Sequence, residues 1–447
     1  MAIIIIGNGI SGITAARHIR KKSQERIIVI SGETPHFFSR TALMYIYMGQ
    51  MKYEHTKPYE DGFWKKNAIE LVQDWVTNID KEEQRVFLSQ SNQWVSYTKL
   101  ILAVGSKPIQ LGLKNENLKG IQGLYSFQDL EALEARTSAI EEAVIVGGGL
   151  IGVELAEMLL SREKKVTMIV REDSFWRNVL PTEESKMITK HLESHGLKLL
   201  FNQEIAEIHA KEHAAEIGSV VLKGGQRLFA DFLGVTIGVQ PNVSWLKGTD
   251  LNIERGIVVN EYLETSWPNV FAAGDCVQLR NPDEHRRAVE QIWYTGRKMG
   301  EVVAENCLNP QSKKYSPGIF FNSAKFFDIE YQIYGRVPAF LEEDMYSFLW
   351  MHPTENKCVR IVYRKRDLTL VGCHSFGIRM RQNVWEEWIK QEKTVTYALV
   401  ELEKANFDPE FFRRYEKDIR RLFSEKTGLT LPEKKKGIWQ LFKKKEE

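Results

Sequence analysis

The feature that most restricts this chain is a glycine-rich turn that occurs twice in the same setting. Ile3 to Ile6 reads as a buried parallel strand, followed by Gly7-Asn8-Gly9-Ile10-Ser11-Gly12, a helix-like run Ile13 to Lys22 and a second strand, Arg26 to Ile30. The succession returns 140 residues later (Gly147 against Gly7): strand Ala143 to Val146, turn Gly147 to Gly152, helix Val153 to Ser161, strand Val166 to Val170. A strand that runs through such a turn into a helix is the context in which GxGxxG has a physical use. The first glycine turns sharply, the second admits a pyrophosphate against bare backbone, and the third lets helix approach strand. The phosphates then meet the free amides of a helix N-terminus.

One copy alone is weak evidence; two in order are not. They predict an α/β fold with two Rossmann-like dinucleotide-binding domains, the second inserted in the first, plus a C-terminal α+β domain. The expected boundaries are 1–112 with 246–314, 113–245, 315–430, and a basic amphipathic tail, 431–447. Between the motifs, Arg85 to Leu88, Trp94 to Tyr97 and Leu100 to Val104 read as short strands. Leu199 to Ser219 and Val220 to Ile237 alternate like antiparallel strands, and Ala288 to Cys307 reads as a helix. Beyond Tyr315 come strands and then helices, with Trp350, Trp385 and Trp388 better suited to a core than to a cofactor.

Composition narrows the classes. The 447 residues carry 61 basic and 59 acidic side chains, a formal charge of +2, so no nucleic-acid partner is expected. The four cysteines, Cys276, Cys307, Cys358 and Cys373, form no CxxC pair, and no metal-ligating set is singled out. Neither a signal peptide nor a spanning segment is evident, which makes cytoplasm the expected location. In the tail, six lysines between Lys434 and Lys445 flank Ile438, Trp439, Leu441 and Phe442. That composition suits peripheral contact with the inner face of an anionic membrane, or a solubilising end.

Two side-chain positions refine the nucleotides. Glu33, 21 residues past Gly12 at the end of the second strand, is placed to accept hydrogen bonds from ribose hydroxyls. The corresponding strand end in the second unit has no acid but Arg171, with Arg177 six residues on. That pair could grip a 2′-phosphate and points to NADPH, with NADH the alternative.

The chain resembles the two-dinucleotide-domain flavoproteins, the pyridine nucleotide-disulfide oxidoreductases and their relatives, over about residues 1 to 310. The matching stretches are Gly7 to Gly12, Ala103-Val104-Gly105-Ser106-Lys107-Pro108, Gly147 to Glu154, Gly234 to Pro241 and Thr265 to Asp275. The resemblance implies FAD held by Gly7, Gly9, Gly12, Glu33, Ala103, Gly105 and Asp275, and NADPH or NADH held by Gly147, Gly149, Gly152 and Gly238. Pro35 to Leu43 is similar to a segment of ferredoxin reductases and NADH-dependent nitrite reductases, making Arg40 an FAD contact. Glu290, Gln291 and Trp293 are expected to open a helix aimed at the flavin, with Gln291 and Trp293 as contacts.

The departures matter equally. Residues 1 to 275 contain no cysteine, so thiol-based turnover is disfavoured. Relatives pair a lysine with the glutamate matching Glu154 beside flavin N5; here that position falls on Tyr45, and Glu154 with Tyr45 are the candidate catalytic residues. The implied activity is an NAD(P)H oxidoreductase passing electrons through flavin to a separate acceptor, a ferredoxin-like protein. The alternatives are a quinone or small-molecule reductase at the membrane surface and a non-catalytic NAD(P)H-sensing flavoprotein. A homodimer is compatible with any of these.

Overall fold

The computed structural model describes residues 2–407, 410 and 413–432, so all but the start of the expected tail lies outside the described residues. The chain divides into two compact units: residues 1–171 with 196–317, and residues 172–195 with the chain from 318 onward.

In the first unit Ala2–Ile6 is buried at all five positions because it runs parallel between Ile27–Ile30 and Gln93–Leu102. A central parallel strand is covered on both faces and must be apolar throughout. Each isoleucine so buried contributes on the order of 2 kcal/mol. Ile69–Val72 extends the sheet at one edge and Val270–Ala272 pairs with Gln93–Leu102 on the other side, both parallel. The strands read at Trp94 to Tyr97 and Leu100 to Val104 are one strand, Gln93–Leu102. Its first half pairs antiparallel with Arg85–Leu88, and its second half lies between Ala2–Ile6 and Val270–Ala272.

The second glycine motif belongs to a parallel sheet of Lys198–Leu200, Lys165–Ile169, Glu142–Val146, Phe232–Val235 and Ile121–Gln122, in that spatial order. The antiparallel alternation expected over 199–237 is confined to the meander Ile205–Ala210, Ile217–Leu222 and Arg227–Phe229. Phe232–Val235 departs from it because the strand is buried along nearly its whole length in the parallel sheet. Ser106–Pro108 and Val239–Pro241 pair antiparallel, with Lys107 opposite Gln240. This ribbon carries the chain between the two parallel sheets.

The second unit is built on an antiparallel sheet in the order Phe321–Phe326, Ile329–Gly335, Leu370–Phe376, Cys358–Arg364, Met345–Met351. Val359, Ile361 and Tyr363 share a core with Trp350, Trp385, Trp388 and Phe423, so the tryptophans are structural. Arg360, of opposite parity, meets the helix Thr182–Ser194. Its guanidinium donates to both oxygens of the fully buried Glu184 (2.5 and 2.7 Å), to Glu183 (2.7 Å) and to Ser347 Oγ (2.8 Å). The architecture is α/β, with two Rossmann-like domains and an additional α+β portion. Among the described residues no helix is long and apolar enough to cross a membrane.

Candidate dinucleotide and flavin site

Both motif helices begin at the motif's second glycine. Ile10–Lys22 is capped by Gly9 and Leu150–Ser161 by Gly149, each extended, and the amides of Ile13 and Val153 donate to those glycines' carbonyls. The helices therefore start three residues earlier than Ile13 and Val153. No side chain caps either one and no acid occupies either first turn. The leading amides of both helices remain for an anion to fill.

The first glycines are fixed by backbone geometry in matching ways. Gly7 has φ +108°, and a Cβ there would lie 2.1 Å from the carbonyl oxygen of Ala103. Gly147 has φ +111°, and its Cβ would lie 2.5 Å from the carbonyl oxygen of Thr236. Ala103 and Thr236 end the strands that flank the two motif strands, and their amides donate to Ile6 and Val146, each at 2.9 Å. Each motif thus rests on its neighbouring strand's end, which runs on to Gly105 or Gly238. A Cβ at Gly9 would meet nothing within 4 Å, and at Gly149 only Thr236 O at 3.9 Å, so the second glycine of each motif faces open space.

Glu33, Arg40 and Asp275 come together through two residues the sequence reading did not select. Arg40 donates from Nη1 and Nη2 to the two oxygens of Glu33 at 2.8 and 2.5 Å, and Nη1 also donates to the Tyr125 carbonyl at 2.5 Å. Glu33 further accepts from the amide of Phe127 at 3.0 Å. The Arg40 guanidinium lies over the Tyr125 ring, 4.6 Å from its centroid. The Tyr125 hydroxyl accepts from the Ser106 amide at 3.0 Å, while Ser106 Oγ donates to Asp275 at 2.9 Å. Burial works against the Arg40 charge, but Glu33 outweighs it and keeps the guanidinium protonated. Burial raises the Asp275 carboxyl above the usual carboxylate range, opposed by the Ser106 hydrogen bond and Arg40. No short-range pattern links Ser106 or Tyr125 to these groups; only tertiary pairing does.

Glu154 sits in the second turn of Leu150–Ser161, half-buried. Burial, and then the like charge of Glu157, push its carboxyl up to about 7. Tyr45 lies on Leu43–Tyr47, a short helix packed against the Glu154 helix. The helix expected from Ala288 begins instead at Trp293, so Glu290 and Gln291 precede it. Glu290 is drawn aside by Arg286, whose Nε and Nη2 donate to it at 2.6 and 2.5 Å. Gln291 holds a buried Nε2 with no protein partner, and Trp293 is 37% exposed at the helix start. An uncapped pair of helix starts, open space at Gly9 and Gly149, and a buried amide donor without an acceptor fit bound dinucleotides.

Arg171 belongs to the first unit, where its charge helps depress the Glu204 carboxyl, after the larger effect of Lys223. Arg177 belongs to the second unit, with its guanidinium 4.4 Å from the Phe340 ring centroid and donating weakly to the carbonyls of Leu180 (3.4 Å) and Ala339 (3.5 Å). Arg177 is thus engaged with Phe340 and two backbone carbonyls. All four cysteines are buried and free, and burial pushes the thiols of Cys276 and Cys307 up to about 12.

The model of the pyridine nucleotide-disulphide oxidoreductases matches residues 1–293, a stretch that contains both motifs and the whole network from Glu33 to Asp275. The chain belongs to this family. Among its curated relatives is the assimilatory nitrate reductase electron transfer subunit of Bacillus subtilis, 28% identical over 396 residues, 87% of this chain and 49% of the relative. The chain therefore spans about half the length of that protein. The rubredoxin-NAD(+) reductase of Ectopseudomonas oleovorans is 27% identical over 328 residues, 73% of this chain and 84% of the relative. A ferredoxin reductase from Rhodopseudomonas palustris shares the fold, with a TM-score of 0.75 and 24% identity, covering 84% of this chain and 91% of that one. Pyridine nucleotide-disulphide oxidoreductases work with FAD and NADH or NADPH, and the two glycine motifs of this member supply two dinucleotide cradles.

Proposed function

We propose that the protein is an FAD-dependent NAD(P)H:acceptor oxidoreductase that passes electrons to a separate acceptor protein of the ferredoxin or rubredoxin kind. The observation that carries this reading is the presence, in one compact unit, of two uncapped glycine-led helix starts together with the Glu33-Arg40-Tyr125-Ser106-Asp275 network. Bound FAD would supply the chemistry, accepting hydride at N5 and releasing electrons onward. The chain's own residues position and tune. Gly7, Gly9 and Gly12 would offer backbone to the pyrophosphate, Glu33, held by Arg40, would accept from ribose, and Asp275 would contact the flavin side of the pyrophosphate and the ribityl chain. Gly147, Gly149 and Gly152 repeat the cradle for the nicotinamide nucleotide. Glu154, with its carboxyl raised to about 7, can hold or release a proton near neutral pH.

A separate acceptor follows from the thiols. No cysteine precedes Cys276, and a buried thiol at about 12 is not a thiolate at neutral pH. The names of the relatives, an electron transfer subunit and a rubredoxin reductase, support a protein acceptor.

Stopped-flow absorbance of the yellow protein mixed with NADPH, and separately NADH, tests the reading. Flavin bleaching within seconds, and reoxidation by an added iron-sulfur protein, are expected. A colourless protein, or one that neither nucleotide reduces, would overturn it, and a slow stable charge-transfer complex would favour the sensor. Homodimerisation is checked by sedimentation. Membrane contact through residues 434–445 is checked by vesicle co-sedimentation against a chain ending at Pro432.

A further inference from the structure

The helix Thr182–Ser194 ends in two histidines four residues apart, His191 and His195, which that spacing places on one face. The two-residue turn joining Phe321–Phe326 to Ile329–Gly335 brings Asp328 to them. Asp328 Oδ1 lies 2.7 Å from His191 Nε2 and 3.8 Å from His195 Nε2. One ligand atom from each of the three falls within 4.8 Å of the others. All three residues belong to the second unit.

Three details point to a ligand. His191 is only 5% exposed, and its Nε2 makes no aligned hydrogen bond despite the nearness of Asp328. His195 Nδ1 lies 2.9 Å from the His191 carbonyl oxygen, so Nδ1 carries the proton and Nε2 the lone pair. His191 Nδ1 lies 3.1 Å from the side-chain amide of Asn356. Amide oxygen and nitrogen are interchangeable by a flip, and the oxygen turned inward would accept Nδ1–H and free Nε2 in the same way. Metal-binding imidazoles are oriented by such back-side acceptors. The turn also carries strain: Phe327 has φ +57°, rare for a bulky residue, and its ring lies 4.7 Å from that of His195. Backbone strain of this kind persists where neighbouring structure demands it.

We propose that His191, His195 and Asp328 form a binding site for a divalent transition-metal ion of the zinc, cobalt or nickel class. Two imidazoles with one carboxylate select such ions over magnesium or calcium, which prefer oxygen ligands. Bonds of about 2.0–2.1 Å in a tetrahedral site separate ligand atoms by about 3.3 Å, so Asp328 withdraws slightly from His191 on binding. Its carboxylate, 76% exposed at a hairpin tip, has room to do so, and water completes the coordination. The proposal goes beyond electron transfer and does not depend on it.

The test uses untagged full-length protein, stripped with a chelator and dialysed, then titrated with Co²⁺ by absorbance and with Zn²⁺ against a chromophoric chelator. One equivalent is expected in the wild type. His195→Ala and Asp328→Asn should each weaken binding by at least about tenfold, with the circular dichroism spectrum unchanged. Asp328→Asn keeps the size of a side chain at a solvated hairpin tip, so it decides the matter if His195→Ala fails to fold. The absence of a stoichiometric ion in the wild type, or equal affinity in a folded variant, would overturn the assignment.

Discussion

Arg40 closes on Glu33 with both terminal guanidinium nitrogens, at 2.8 and 2.5 Å, and so fixes the carboxylate that ends the second strand of the first motif. The guanidinium simultaneously covers Tyr125, the residue that leads through Ser106 to Asp275. Arg40→Ala should weaken FAD binding by about tenfold to a hundredfold, the range for losing hydrogen bonds between charged groups. Arg40→Lys should recover part of it, because an ammonium cannot reproduce the planar fork. Fluorescence titration of the apoprotein with FAD gives both values, and equal affinity in Arg40→Ala would remove Arg40 from the site.

A second expectation concerns Glu154, whose carboxyl is raised from 4.5 to about 7 by burial and then by Glu157. The protonated form is favoured in the folded protein, so ionisation is what folding penalises. That penalty is absent below about pH 4.5, grows between 4.5 and 7 and is complete above 7. Glu154→Gln should therefore melt at a higher temperature than the wild-type apoprotein at pH 8, with the difference shrinking toward pH 5. The rate of flavin reduction should show an inflection near pH 7 in the wild type that the variant lacks. An inflection that persists in Glu154→Gln would assign it to another group.

The two arginines beyond the second motif should separate. Arg171→Ala is expected to raise KM for NADPH about tenfold and leave KM for NADH nearly unchanged, as loss of a phosphate partner would. Arg177, engaged with Phe340 and the Ala339 carbonyl, should affect thermal stability more than nucleotide choice when replaced by alanine. Steady-state kinetics with both nucleotides decides between this division and a shared phosphate grip.

In the second unit, Arg360→Ala would strand the fully buried Glu184 and should cost about 3–5 kcal/mol, read as an earlier denaturation transition of that unit. The double variant Glu184→Gln/Arg360→Met should recover much of it. Burial alone would raise the Glu184 carboxyl, but the His374 ring beside it and the hydrogen bonds from Arg360 hold it below its ordinary value of 4.5. Its stabilisation is thus present above pH 4.5 and lost as pH falls through the lower folded value. A transition equally stable at pH 4 and pH 6 would count against the pair.

What could be read in the sequence was what backbone geometry or uninterrupted burial demands. Gly7 and Gly147 are legible because nothing larger fits against the Ala103 and Thr236 carbonyls, and Ile3 to Ile6 because a central parallel strand must be apolar throughout. Ser106 and Tyr125 were not legible, since their roles arise only when distant segments meet at Asp275 and Arg40. The start of Trp293–Leu308 was misplaced because the apolar pattern runs back through Val289, whereas the Arg286–Glu290 pair holds the preceding residues out of the helix. His191 and His195 stand four residues apart, a spacing the sequence reading did not single out, and Asp328 joins them only through a hairpin far along the chain.

The ribbon of Ser106–Pro108 and Val239–Pro241 has a consequence for how such a protein can be assembled and altered. Entry to and exit from the second parallel sheet lie side by side, with Lys107 opposite Gln240, so the chain between them leaves and returns at one place. Exchanging the segment at these two junctions would nonetheless take Tyr125 out of the Glu33 to Asp275 network and Glu184 away from Arg360, so a transplanted module must bring both contacts with it.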